Sequence, residues 1–208
     1  MQRRELLKMI ALATGSAMVG TNVMAYTLMA PATKVADSTF SSADVAALTA
    51  ISETILPRTE TPGATDANIV PVMIAIASDC YSPAELALFK TGLADIDARS
   101  KATSSINHGT AATTFVALAP EQQFALLSEL DQQALKFNSG DAKVRAAYKQ
   151  QFNSDIHYFT LLKQLTLYCF FTSEVGATQV LRHIQVPGRY DGNFPYKKGD
   201  RAWASVFA

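Results

Sequence analysis

The spacing of apolar residues most constrains the fold, because these residues recur every three or four positions along most of the chain. Two such sets are Val45, Leu48, Ile51 and Ile55, and Phe124, Leu127, Leu130 and Ala134. This spacing places apolar side chains on one face of an α-helix, whereas a half-buried strand alternates apolar and polar residues. No segment shows a convincing alternation. The pattern therefore predicts an all-α fold, an irregular helical bundle.

Capping residues indicate where several helices begin. Ser41 or Ser42 can cap the first helix, which Pro57 ends. Ser82, Pro83 and Glu85 form a strong helix start, with a cap, a proline at the first position and a capping-box glutamate. The helix between these two carries an apolar face made of Ile69, Val72, Met73, Ile76 and Cys80. Residues 100–111, rich in Ser, Thr, Asn and Gly, are predicted to be a loop.

The second half of the chain contains one segment that is apolar on nearly every side. Residues 141–171 have a helical pattern, and 159–171 within them lack a polar face, which predicts a central, buried helix. A last helix is predicted beyond Thr172. Residues 187–208 are rich in glycine, proline and aromatic residues without a period, so we expect an extended C-terminal tail.

The N-terminal 32 residues are typical of an export signal. Arg3 and Arg4 precede an uncharged run over 9–32, and such a pair marks a twin-arginine signal peptide. Its apolar part is too short for a membrane span, which needs roughly 20 apolar residues. Small residues around Ala25 and Ala32 fit a cleavage site, and the alternative is an uncleaved anchor helix. Residues 33–40 are then a linker, and 41–208 a single helical domain.

The signal has a consequence for function. It predicts the twin-arginine translocase as a partner and the periplasm as the destination. That pathway carries proteins already folded in the cytoplasm, often with a cofactor inserted. Because the rest of the chain shows no cofactor motif, we infer that it accompanies a cofactor-loaded partner across the membrane.

Composition narrows the functional classes. The 18 basic and 18 acidic residues balance, so the chain lacks the basic footprint of a nucleic-acid-binding protein. The two cysteines, Cys80 and Cys169, leave three states open. They can form one disulfide, worth up to about 4 kcal/mol in an oxidising compartment. They can also remain buried thiols, or one can bridge to another chain.

Motifs for independent chemistry are missing. The sequence has no glycine-rich dinucleotide fingerprint, phosphate loop or haem attachment motif. Its histidines, His108, His157 and His183, are scattered without metal-ligand spacing. Glu53 and Glu174 each stand alone, which is more typical of a cap than of a catalytic acid. We therefore predict no catalytic, cofactor-binding or metal-binding residue and no enzyme acting alone.

Two stretches carry a family resemblance. The first is ILPRTETPGA at 55–64, and the second comprises TSEVG at 172–176, VPGRYDG at 186–192 and RAW at 201–203. In order and spacing they resemble subunit 3, the small subunit of membrane-bound gluconate 2-dehydrogenase. The similarity extends from about Val45 to Trp203, most of the chain after the signal.

The resemblance implies a complex of three different subunits. A large subunit with bound FAD oxidises a sugar acid, sugar or polyol, and a cytochrome c subunit with haem c passes the electrons towards quinone. The small subunit binds no cofactor and assists maturation and export of the flavin subunit, in the periplasm and peripherally at the inner membrane. The alternatives are a stand-alone periplasmic binding or structural protein and a helical enzyme with an unrecognised site.

The residues predicted to contact a partner lie in the second stretch and the tail. A tail broken by glycine and proline cannot easily bury all its aromatic residues on its own fold, and such residues are enriched at interface cores. The predicted interface consists of Thr172, Ser173, Glu174, Tyr190, Phe194, Tyr196, Trp203 and Phe207. For 172–174 the alternative is a helix start that packs internally, with Thr172 or Ser173 as its cap. Gly63, Gly188 and Gly192 are predicted to supply unusual backbone angles.

Overall fold

The computed structural model describes residues 40–107, 114–184, 188, 192–195 and 197–204, with the side chains of 103–107 excepted. Its α-helices are α1 (Ser42–Ile55), α2 (Val70–Asp79), α3 (Pro83–Asn107), α4 (Pro120–Asn138), α5 (Ala142–Phe152) and α6 (Tyr158–Thr172). A 3₁₀ turn (Phe115–Ala117) precedes α4, and a π-helical turn (Gly176–Val180) follows α6. The described part contains no strand, only an isolated parallel bridge between Arg182 and Trp203. The all-α prediction is confirmed.

The predicted caps begin α1 and α3. The Asp44 N–H donates to Ser41 Oγ at 3.2 Å, and the Ser41 N–H donates back to the Asp44 carboxylate at 2.8 Å. The same reciprocal pair joins Ser82 and Glu85, at 3.3 and 2.9 Å. Each capping box satisfies backbone N–H groups that have no partner within the helix. Ser41, rather than Ser42, is therefore the cap of α1.

Helix α6 lies at the centre of the bundle, as predicted. It contacts α1, α2, α3 and α4, and its buried residues include Phe159, Leu162 and Phe170. However, Tyr168 is 60% exposed, and Phe171 is also exposed. The prediction of burial on nearly every side was therefore wrong. In the described part of the chain, the four neighbouring helices leave one side of α6 exposed to solvent.

Three helix predictions were wrong in detail. The segment 141–171 is two helices, because Asn153 takes a left-handed conformation (φ 47°) that ends α5 and His157 starts α6. Helix α3 continues to Asn107, through the predicted loop. Phe124 is 65% exposed. Its neighbour Gln123 instead faces the bundle, where it donates to the Phe115 carbonyl at 3.1 Å.

The helix predicted between Pro57 and Ser82 buries only part of its predicted face, which includes Ile69 and Met73. Val72 and Cys80 are exposed, and the buried residues of α2 are Val70, Met73, Ile74 and Ala77. Phe40, the last residue of the predicted linker, is buried and packs edge-on against Phe89 with ring centroids 6.0 Å apart. The folded domain therefore includes Phe40.

The two cysteines are free thiols in the structure. Cys169 lies on the buried face of α6, whereas Cys80 is exposed where α2 ends, so they form no disulfide. Burial raises the pKa of the Cys169 thiol to about 11, which keeps it protonated at neutral pH. Of the three predicted states, the structure shows unbonded thiols, but only Cys169 is buried.

No helix in the described part of the chain combines the length and the apolar character that a membrane span needs.

Candidate partner interface

The loop after α1, residues 56–66, is organised by Glu53. Its carboxylate accepts hydrogen bonds from the Arg58 N–H at 3.0 Å and from the Thr65 N–H and Oγ1 at 2.9 and 2.5 Å. Burial would raise the pKa of Glu53, but the bonds from Thr65 and Arg58 outweigh it and hold this pKa below its usual value. Glu53 is thus neither isolated nor a helix cap. It fixes the loop that carries the first stretch of resemblance.

An ion pair closes the same loop. Arg58 binds the Asp66 carboxylate with two nitrogens, its Nε at 2.8 Å and its terminal nitrogen, and Asp66 also accepts the Gly63 N–H at 2.8 Å. A Cβ atom on Gly63 would lie 2.6 Å from the Arg58 nitrogen and 2.8 Å from Glu53 Oε1. Gly63 is therefore required by close approach, not by a positive φ as predicted. Gly188 does take a positive φ, of 66°.

The second stretch forms the turn after α6. The Gly176 N–H donates to Ser173 Oγ at 3.0 Å, so the Ser173 side chain stabilises the start of the π-helical turn. Thr172 and Glu174 are exposed on either side of it. The internal role predicted for this block thus applies to Ser173, whereas Thr172 and Glu174 remain accessible to a partner.

The two stretches meet at a surface groove. It has a volume of about 420 Å³ and is lined by residues 58–62 and Asp66 from the loop, and by Val175 and Gln179 from the π-helical turn. We call this feature the loop groove. Residues far apart in the sequence, both singled out by the resemblance, therefore build one surface.

The C-terminal tail is attached to the same π-helical turn. Arg182 exchanges backbone hydrogen bonds with the tail: its N–H donates to the Ala202 carbonyl at 2.9 Å, and the Ala204 N–H donates to its carbonyl at 2.8 Å. The Arg182 guanidinium lies 3.3 Å from the Asp200 carboxylate, and Arg201 donates to the Gln179 carbonyl at 2.9 Å. We call Arg182 with residues 200–204 the tail clasp.

Two of the predicted interface aromatics come together at the clasp. Phe194 and Trp203 are in edge-to-face contact with centroids 5.4 Å apart, and the Arg182 guanidinium lies 5.9 and 5.5 Å from the two rings. These cation–π contacts hold the rings in place, yet Phe194 stays 48% and Trp203 44% exposed. Ile184 is also exposed beside this part of the chain. Sequence reasoning missed Arg182 and Ile184, since neither belongs to a recognisable motif.

The remaining predicted residues lie outside the described part of the chain. These are Arg3 and Arg4 of the export signal and Tyr190, Tyr196 and Phe207 of the tail. Within the described residues, no three or more His, Cys, Asp or Glu side chains are grouped so that they could hold a metal ion.

Residues 42–188 match the family model described as Gluconate 2-dehydrogenase subunit 3. The chain belongs to the gluconate 2-dehydrogenase subunit 3 family. No curated protein and no solved structure gives a significant match. The family places this subunit in a dehydrogenase complex with other subunits. The matched range contains the whole loop groove and ends before residues 200–204 of the tail clasp.

Proposed function

We propose that this chain is the non-catalytic small subunit of a periplasmic, FAD-dependent dehydrogenase complex, and that it assists maturation and twin-arginine export of the flavin subunit. The flavin subunit oxidises a sugar acid, sugar or polyol and passes electrons to a cytochrome c subunit with haem c. Family membership supports the complex. The Arg3–Arg4 pair supports export by the twin-arginine translocase and a periplasmic location at the inner membrane.

One observation carries the proposed binding mode: the loop groove and the tail clasp share the π-helical turn. Gln179 lines the groove, and its carbonyl accepts the hydrogen bond from Arg201 of the clasp. The two features therefore form one continuous surface. We assign this surface to the flavin subunit.

The chemistry of that surface suits a protein partner. Exposed tryptophan and arginine residues are frequent energetic centres of interfaces. Because Trp203 and Phe194 are already held by Arg182, little side-chain freedom is lost when a partner covers them. A stable interface buries about 1,600 Å² in total, so we expect the groove and the clasp to form its centre.

Co-purification tests the proposed function. The chain, tagged at its C-terminus, is expressed with its flavin subunit and recovered from the periplasm for an absorbance spectrum. We expect a yellow flavin spectrum and a large co-eluting chain. In the variant Arg3→Lys/Arg4→Lys both proteins should be lost from the periplasm, because the twin-arginine pair is missing. Lys8→Arg, which leaves that pair intact, is the control.

Three outcomes would contradict the proposal. A colourless, single-chain eluate from the unaltered protein would favour a stand-alone periplasmic protein. A flavin subunit that still reaches the periplasm with the double lysine variant would show that this chain does not direct its export. Oxidation of gluconate by the purified chain alone would instead favour a helical enzyme.

Replacing Trp203 by Ala is expected to reduce retention of the flavin subunit by about tenfold or more, the usual cost of losing a central interface aromatic. Circular dichroism should show unchanged helix content, because Trp203 lies outside the helices. Phe124→Ala is the matched control, since Phe124 is a large exposed aromatic on α4 that neither belongs to the clasp nor lines the loop groove. Equal loss of retention in both variants, or a loss of helical signal with Trp203→Ala, would contradict the assignment.

A further inference from the structure

A second cavity lies on another part of the bundle and shares no lining residue with the loop groove. It has a volume of about 240 Å³ and lies between α3, α4, α5 and the start of α6. Its walls are mainly aromatic, formed by Tyr148, Phe152, His157 and Tyr158. Arg99 and two glutamines add polar groups, and the exposed Ala147 lies at its edge. We call it the aromatic cavity.

His157 presents an unused hydrogen-bond donor to this cavity. The residue is 2% exposed, and its Nδ1 accepts the Phe159 N–H at 3.2 Å, so the neutral ring carries its proton on Nε2. No described residue accepts a hydrogen bond from Nε2. Among the described residues, Ser78 Oγ is the one side-chain polar atom that is both sealed from solvent and without a partner. His157 Nε2 is therefore not sealed from solvent, and the ring that carries it lines the cavity.

The walls of the cavity are held rigidly. The Tyr148 ring stacks on His157 and Phe152 with centroids 4.4 and 4.7 Å away, and its hydroxyl oxygen accepts the Tyr158 N–H at 2.6 Å. The Tyr158 hydroxyl donates to Asp95 at 2.6 Å. The Tyr148 hydroxyl donates its own proton to no described residue. His157 and Tyr148, which both line the cavity, thus each keep a donor proton without an acceptor among the described residues.

Arg99 is the charged side chain that lines the aromatic cavity among the described residues. Burial lowers the pKa of His157 to about 4, and the charge of Arg99 lowers it further than Asp95 raises it. Arg99 is itself paired with Asp95, since its Nε lies 2.7 Å from that carboxylate. Burial raises the pKa of Tyr148 to about 12, so its hydroxyl stays a neutral donor. No carboxylate side chain lines the cavity among the described residues.

We propose that the aromatic cavity binds a small aromatic carboxylate, whose carboxylate accepts hydrogen bonds from His157 Nε2 and the Tyr148 hydroxyl. The ring of the ligand lies against the aromatic walls, where offset or edge-on contacts stabilise it. Sites for drug-sized molecules have volumes of about 300–1,000 Å³, so this smaller cavity suits a single ring. The two donors, and a described lining without a carboxylate, favour a carboxylate over a neutral ligand.

Benzoate is the probe for this proposal, with benzyl alcohol as its uncharged counterpart. Saturation-transfer NMR on the purified full chain at neutral pH should show benzoate binding that is about tenfold or more tighter than that of benzyl alcohol. Ala147→Leu places a larger side chain at the edge of the cavity and should abolish binding. Ala146→Leu is the matched control, since Ala146 is an exposed neighbour on α5 that does not line the cavity.

A second variant tests the effect of a negative charge on the cavity wall without changing the volume of the cavity. Gln133→Glu puts a carboxylate on the cavity wall and should weaken benzoate binding by about tenfold through like-charge repulsion. The proposal is overturned if benzoate does not bind the unaltered chain, or if it binds Ala147→Leu and Ala146→Leu equally well. Equal affinity for benzyl alcohol, or no effect of Gln133→Glu, would remove the selection for a carboxylate.

Discussion

Replacing Gly92 by Ala is expected to lower the free energy of unfolding by about 2 kcal/mol, although alanine is the better helix former. Within α3 the substitution alone should stabilise the helix by about 1 kcal/mol. However, the added Cβ would lie 2.5 and 2.6 Å from Cδ2 and Cγ of the Tyr158 ring. Overlap in a packed core costs about 1–3 kcal/mol, and the upper end applies when the neighbour cannot move.

Tyr158 is such an immobile neighbour. Its hydroxyl donates to Asp95 at 2.6 Å, and Arg99 holds the same carboxylate through its Nε at 2.7 Å. Its ring stacks on His157 with centroids 5.2 Å apart. Since the ring is held at both its edge and its face, α3 and α6 would have to separate to admit a methyl group. We therefore expect the overlap to outweigh the helix propensity.

Urea unfolding at neutral pH measures this effect. In the background Tyr158→Ala, which removes the Cγ and Cδ2 atoms that lie closest to the added Cβ, Gly92→Ala should lose most of its penalty. The double-mutant cycle then reports the overlap directly, as a coupling between the two positions. A Gly92→Ala protein more stable than the unaltered chain would show that α3 and α6 are less tightly packed than the structure indicates.

Lowering the pH from 6.5 to 4 is expected to lower the free energy of unfolding by roughly 3 kcal/mol because of His157. Burial, with Arg99 on α3, lowers the folded-state pKa of this residue from 6.5 to about 4, against the opposing effect of Asp95. Below pH 6.5 the unfolded chain binds a proton that the folded chain does not. Above pH 6.5, therefore, His157 does not reduce the free energy of unfolding. As the pH decreases towards the folded-state pKa, the free energy of unfolding falls progressively.

His157→Asn separates this contribution from that of the carboxylates. Asparagine is a favourable residue at the start of α6 and can still accept the Phe159 N–H, but it does not titrate. We expect the variant to be less stable at neutral pH, with a smaller loss of stability between about pH 6.5 and pH 5 than the unaltered chain shows. Unfolding curves in urea at a series of pH values provide the measurement. Identical pH dependence in the two proteins would mean that His157 does not keep its neutral form in the fold.

Local patterns predicted the helical elements well. The Ser41 cap and the Ser82–Glu85 capping box formed as expected, because each depends on residues three positions apart. Periodicity also identified α6 as the central helix. It misplaced Phe124, because helical spacing alone does not say how far a neighbouring helix extends over a given turn.

The sites were less predictable, since each joins distant parts of the chain. In the sequence Glu53 is an isolated carboxylate without a recognisable role. In the structure it fixes a loop by accepting hydrogen bonds from Arg58 and Thr65. Arg182 organises Phe194 and Trp203 only because the tail returns to the π-helical turn. Aromatic composition predicted Phe194 and Trp203 as interface residues, but not the residue that holds them in place.

The amino-acid sequence by itself therefore determined the all-α class, the starts of α1 and α3 and the family, because capping and periodicity act within a few residues and the family stretches are contiguous. Only the tertiary structure shows the loop groove and the tail clasp. It alone also shows that a Cβ atom at Gly92 would have no room and that Nε2 of His157 is accessible to solvent. Each of these depends on which distant side chains become neighbours and on how much solvent they exclude. Packing sets both, and neither can be read from local spacing.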